Sequence, residues 1–154
     1  MDYSSIAQHL AASSEVALRP ASPDNLAALR DFGVPPQVLA FYELFEPSDC
    51  LEIARVRLWP IEAVLTENRA YVPGVHLAPF HHVVFASTVF GDAYCWDLTT
   101  PGPAVVLVAH DLNFEKLRAD TLAAVRKPIA ADFASFLMAF GQGLVDRDPT
   151  YPRW

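Results

Sequence analysis

The stretch Val83–Asp97, VVFASTVFGDAYCWD, constrains the fold more than any other part of the chain. Two runs rich in β-branched and aromatic residues stand either side of Gly91. Such residues suit a pleated surface, and a glycine between two such runs supplies a tight reversal, so the stretch spells a β-hairpin. Beyond Gly91, side chains alternate: Ala93, Cys95 and Asp97 face one way, and Tyr94, Trp96 and Leu98 the other. The Pro-Gly-Pro at 101–103 cannot continue a ladder and reads as a turn. The run AVVLVA after it is apolar without alternation, which predicts a strand buried on both faces.

Both ends of the sequence change to a helical period. Ser22-Pro23 reads as an N-cap followed by proline at the first helical position, with Gly33 as the stop. A second helix begins at Pro35-Pro36 and carries Val38, Phe41, Tyr42 and Phe45 at i, i+3, i+4 and i+7, until Pro47 ends it. Near the C-terminus, Phe133, Phe136, Leu137, Phe140 and Leu144 form an apolar stripe that frays at Gly141 and Gly143. NFEKLRADTLAAVRKP, at 113–128, reads as one helix with Asn113 as cap and Arg126-Lys127 complementing the dipole at its end. LEIARVRLW, at 51–59, reads as one strand with Arg55 and Arg57 on a solvent face. PIEAVLTENRAY, at 60–71, reads as a helical turn and a loop. Residues 1–21 are rich in alanine and serine and predict a loosely attached helix. With no repeat, linker or low-complexity tract, residues 1–154 make one domain. The order is helices, strands, helices. It predicts an α+β fold: a single mostly antiparallel sheet of about four to six strands, with helices packed at the N- and C-terminal ends.

Composition narrows the function classes. A hydrophobic share of 53% argues against disorder. Eighteen acids against eleven bases give a net charge of −7, which speaks against nucleic acid as a direct partner and permits a basic protein partner. No apolar run is long enough to span a bilayer, and the N-terminus lacks the basic start and apolar centre of a signal peptide, so the chain reads as cytosolic. Cys50 and Cys95 form no CxxC or zinc spacing and read as core residues, and Trp59, Trp96 and Trp154 as packing residues, with Trp154 exposed at the terminus. The sequence has no dinucleotide, phosphate-loop or metalloprotease motif, and no cofactor is implied. His81 and His82 would point to opposite faces of a strand, which argues against a shared metal ion. His110-Asp111 closes the apolar strand, and with Asp92 and Asp97 it sketches a small hydrolase. That reading lacks a nucleophile in a recognisable context, and Asp92, directly after Gly91, reads better as a turn residue.

The order of segments resembles the SUKH superfamily, to which the regulators of yeast cell-wall synthesis belong. Val34-Pro35 followed by Val38, Phe41 and Tyr42 is similar to its LPxxLxxFY opening helix, and Phe32-Gly33 stands where Leu-Gly often precedes it. VVFASTVFGDAYCWDL is similar to its central strand pair. Val105, Val106 and His110-Asp111 match the strand that follows, and Ile129-Ala130, Phe133 and Phe136-Leu137 match the closing helix. The resemblance spans residues 24–140. Glu46-Pro47 stands where relatives often carry Asn-Gly. The resemblance implies an α+β fold and a non-enzymatic role, since many bacterial members are immunity proteins that bind and block polymorphic toxins, often nucleases. A regulatory scaffold is the alternative. On the immunity reading, acids would recognise a basic toxin: Glu43, Glu46 and Asp49 around the end of the opening helix, and Asp92, Asp97 and Asp111 at the strand ends.

Overall fold

The central hairpin is also the centre of the sheet. In the computed structural model, which describes residues 2–145, the chain runs α1 (Ser4–Ser13), β1 (Leu18–Arg19), α2 (Pro23–Asp31), α3 (Pro36–Phe45) and β2 (Glu46–Pro47). It continues through β3 (Leu51–Ile53), β4 (Val56–Leu58), α4 (Ile61–Ala70), α5 (Gly74–Leu77) and a 3-10 turn at Ala78–Phe80. Then come β5 (His82–Thr88), β6 (Ala93–Asp97), β7 (Ala104–Val108), a 3-10 turn at Phe114–Lys116, α6 (Ala119–Val125), β8 (Lys127–Ala130) and α7 (Phe133–Gly141). Strands β3 to β8 form one antiparallel sheet in sequence order, and β1 pairs with β2 in a separate two-stranded ribbon. This is the α+β architecture that the sequence predicts.

Alternation along the strands sorts the core into two layers. Val83, Phe85, Tyr94, Trp96, Val105 and Leu107 face one side and pack under α1, α2, α3 and α7. Val84, Ala93, Cys95, Val106 and Val108 face the other, under Leu77, Phe114 and Leu122. The first layer is aromatic. Phe85 stacks on Trp96 with ring centroids 4.5 Å apart, and Phe133 meets Trp96 edge-on at 5.3 Å. Edge-to-face and offset arrangements of this kind add to the area term of burial. Tyr42 Oη and Trp96 Nε1 are buried in this layer without a hydrogen-bond partner among the described residues.

Several helix signals act as expected. Ser22 Oγ accepts from the Asn25 amide, as its N-cap position predicts, whereas the cap of α7, Asp132 accepting from the Ser135 amide, was not foreseen. Gly33 takes a left-handed φ of +84° just past α2. Phe133, Phe136, Leu137 and Phe140 are all buried on α7, whereas Leu144, expected on the same stripe, lies beyond the helix and is 70% exposed. Trp154 lies outside the described residues.

Four local expectations are overturned. The N-terminal helix is not loose: Leu10 is fully buried, Ile6 and Ala7 nearly so, and the Tyr3 hydroxyl donates to Gln37 O. LEIARVRLW is two strands, not one. Ala54 and Arg55 turn the chain at φ of 48° and 69°, a left-handed pair normally signalled by Asn-Gly. Arg57 therefore lies opposite Glu52, with Nε 2.9 Å from its carboxylate. PIEAVLTENRAY is a full helix, because Ile61, Val64, Leu65 and Asn68 form one buried stripe. The segment 113–128 is broken: a 3-10 turn and α6 fill its middle, Asn113 makes no side-chain cap, and Lys127–Ala130 pairs with β7. Pro128 is tolerated there because β8 is an edge strand.

The sheet is held at one weak point by a side chain. Strand β4 ends at Leu58, opposite Ala86, so it does not reach Val84. A register shift between Val84 and Ala86 marks a bulge at the same place. Asn68 of α4 fills the gap: its Nδ2 donates to Val84 O at 2.7 Å, and its Oδ1 accepts from Val84 N at 2.9 Å.

Candidate functional site

The six predicted recognition acids do not converge. Three are exposed: Glu43 on the outer side of α3, Asp49 in the loop after β2, and Asp111 in the loop after β7. Asp49 Oδ1 accepts from the Cys50 amide and so braces its own loop. Cys50 beside it is exposed, not the core residue expected, while Cys95 is buried; both thiols are free. Glu46, Asp92 and Asp97 are not surface acids. They are 5%, 1% and 2% exposed, and each is engaged within the fold.

Each buried acid closes a junction. Glu46, just past α3, accepts from the Ile61 amide at 2.9 Å and so satisfies the start of α4, where the N-cap position is Pro60 with no hydroxyl to offer. Asp92 accepts from the His110 amide at 3.0 Å, and its Oδ1 also lies 2.8 Å from His110 Nδ1. It therefore ties the end of β7 to the central hairpin. Gly91, at φ +100°, passes His110 closely enough that a Cβ would sit 3.6 Å from that side chain. The Thr88 hydroxyl next to Asp92 accepts from the Phe90 and Asp92 amides, which makes it a turn brace rather than a nucleophile.

Asp97 belongs to a buried cluster with His82 and Arg126. His82 lies opposite Asp97 in the β5–β6 register. Arg126, at the end of α6, reaches in to donate from Nη1 to Asp97 Oδ2, and the same nitrogen lies 2.8 Å from His82 Nε2. Since guanidinium nitrogens only donate, His82 Nε2 must accept, and its Nδ1–H then donates to Phe80 O at 2.8 Å. That is the neutral imidazole with both nitrogens occupied, leaving none for a metal. Burial pushes the His82 pKa down, against the opposing pull of the Phe80 carbonyl and Asp97. Burial also pushes Asp97 up, but the Thr99 hydroxyl and amide and the Arg126 charge outweigh it and hold the carboxyl below its ordinary value.

These directions fix a pH dependence. A histidine with a depressed folded-state pKa contributes stability that is fully present above its unfolded value near 6.5 and is lost as pH falls through the folded value. Protonation would also set Nε2–H against the Arg126 N–H. The urea midpoint is expected to fall between pH 7 and pH 5, and His82→Gln, which cannot titrate there, should flatten that fall. Parallel midpoints for the two proteins across this range would remove His82 from the acid response. Asp97, with its lowered pKa, adds a second loss only below about pH 4.

Two adjoining clefts meet at α4, a feature the positions of the acids alone did not reveal. The first, of about 360 Å³, lies between the β1–β2 ribbon and the starts of α2 and α4; Arg19, Ser22, Glu46, Ser48 and Glu62 line it. The second, of about 310 Å³, runs along the solvent face of α4 and is lined by Trp59, Glu62, Ala63, Thr66, Glu67 and Tyr71. Glu62 stands on the wall of both. The pairs Glu62–Thr66 and Ala63–Glu67, each four residues apart, become neighbours only because the segment is a helix.

Among the described residues, no group of three or more His, Cys, Asp or Glu side chains is placed to hold a metal ion, and no helix is long and apolar enough to cross a membrane. No family model matches the chain, and no curated protein matches it either.

Proposed function

We propose that the chain is a non-enzymatic protein-binding domain with a basic protein as its partner. Following the resemblance to the SUKH superfamily, it is a bacterial immunity protein that neutralises a polymorphic toxin, a nuclease among the candidates, by stoichiometric binding. The observation that carries the reading is the acidic groove along α4. Glu62 and Glu67 line it, and Glu43 and Asp49 are exposed on α3 and the loop after β2. A nuclease needs basic groups to hold phosphate, so an acidic surface can cover that same cleft. The net charge of −7 favours such an encounter. The His110–Asp92 contact has a turn role in this reading, because the Thr88 hydroxyl beside it is committed to the turn amides.

The test is binding and inhibition of the product encoded by the neighbouring gene. The expected result is a one-to-one complex that abolishes toxicity and associates more slowly as salt rises. Reversing the three exposed acids Glu43, Asp49 and Asp111 to lysine should slow association by about tenfold or more and leave the fold intact, since none is buried. An association rate indifferent to salt and to all three reversals would move the interface to an apolar patch. A neighbouring gene without a toxin product would favour the regulatory scaffold.

A further inference from the structure

The groove along α4 combines aromatic and acidic walls. Its walls carry two aromatic rings, Trp59 at the approach to the helix and Tyr71 just past its end, the latter 59% exposed. Two carboxylates, Glu62 and Glu67, border the groove on either side of Ala63 and Thr66. No Lys or Arg lines the groove, and neither glutamate has an ion-pair partner among the described residues. Arg69, the basic residue of α4 itself, is turned to another side, its guanidinium 5.7 Å from the Phe32 ring.

Glu67 is also held in place. Its Oε1 accepts from the Gly74 amide at 3.2 Å. The contact requires glycine, because a Cβ at position 74 would come within 2.7 Å of Glu67 O. Burial pushes the Glu67 carboxyl above its ordinary value, and the Gly74 amide draws it only part of the way back. A half-buried carboxylate in that condition gains from a cation brought beside it. Tyr71, Val72 and Val75, exposed next to the groove, extend it with apolar surface.

We propose that this groove receives an arginine side chain of the protein partner, its guanidinium lying against the Trp59 and Tyr71 rings and paired with Glu62 and Glu67. Arginine fits better than lysine because its planar guanidinium is weakly hydrated, stacks on aromatic faces and pairs with carboxylates in a fixed fork. A volume of about 310 Å³ accommodates one such side chain with part of its neighbour. The proposal rests on the reading of the chain as a binder of a basic protein and names the point of contact.

The test uses the full chain and acetyl-triarginine amide, followed by the amide and side-chain NMR signals of the protein. The expected result is saturable shifts at the Trp59 indole N–H, Thr66 and Tyr71, with no response to the uncharged citrulline peptide. The paired substitution Glu62→Gln and Glu67→Gln should weaken binding at least about tenfold. The glutamine amide at the second of these positions retains an oxygen for the Gly74 amide, so the fold is preserved. Tyr71→Ala, at an exposed position, gives an independent loss. Shifts that are absent from Trp59 and Tyr71, or that survive the paired glutamine substitution, overturn the proposal. Spermidine binding as tightly as the peptide overturns it in favour of a free polyamine. Peptide capture by a chain that inhibits no neighbouring toxin sinks the immunity reading alone. Toxin binding that ignores the paired substitution sinks the groove alone.

Discussion

Phe133→Ala is expected to lower the free energy of unfolding by about 3–5 kcal/mol, the range for truncating a large aromatic ring in a core that cannot collapse around the gap. Phe133 is 2% exposed and sits where α3, α7 and the sheet meet. Its ring lies 5.7 Å from Phe41, 6.0 Å from Tyr42, and 5.3 Å from both Phe85 and Trp96. These neighbours belong to three elements and to each other's contacts, so none can move in without opening a gap elsewhere. Met138, on the same helix but 52% exposed, supplies the control: Met138→Ala should shift stability by no more than about 0.5 kcal/mol. Urea denaturation of both variants checks the contrast. A loss below about 1 kcal/mol for Phe133→Ala would place that ring outside the core.

Asn68→Leu is expected to cost about 2–5 kcal/mol although it keeps the branched outline of the side chain and adds apolar surface. Leucine leaves the Val84 N–H and C=O buried without partners, at about 1–3 kcal/mol each. The carbonyl of Val64, to which Asn68 Nδ2 also donates at 2.8 Å, sits inside α4 and is less affected. The loss should be local in its signature. Hydrogen exchange at the Val84 amide should accelerate well before that of Trp96 on the adjacent strand. Uniform acceleration across the sheet, or a neutral effect on stability, would show that Asn68 does not stand in for the missing length of β4.

The two substitutions differ in how far the sequence foretold them. Phe133 belongs to a stripe at helical spacing, and spacing is a property of consecutive residues that any reader of the sequence can see. Asn68 was invisible for the same reason that α4 was underestimated: a polar residue on the apolar face breaks the stripe, and only the bulge at Val84, sixteen residues away, explains why it is there. The resemblance to the SUKH superfamily likewise rested on ordered local motifs, and its functional content remains the proposal made above.

Local chemistry was decided by the sequence alone: the hairpin about Gly91, the strand buried on both faces, the Ser22 cap, the apolar face of α7 and the acidic balance. Each depends on residues within one or two turns of one another. Tertiary structure decided the rest. Ala54 and Arg55 carry no turn signal, and their left-handed pair exists because β3 must fold back onto β4. Lys127–Ala130 has helix-ending charges before it and a proline within it, yet it becomes a strand because β7 offers a free edge. Glu46, Asp92 and Asp97 look alike in the sequence to Glu43, Asp49 and Asp111. What separates them is the Ile61 amide, the His110 amide and the Arg126 guanidinium, which lie 15, 18 and 29 residues away along the chain. A carboxylate goes inside only where such donors meet it, because burying the charge without them costs more than the fold gains, and that meeting is settled by the assembled sheet and helices.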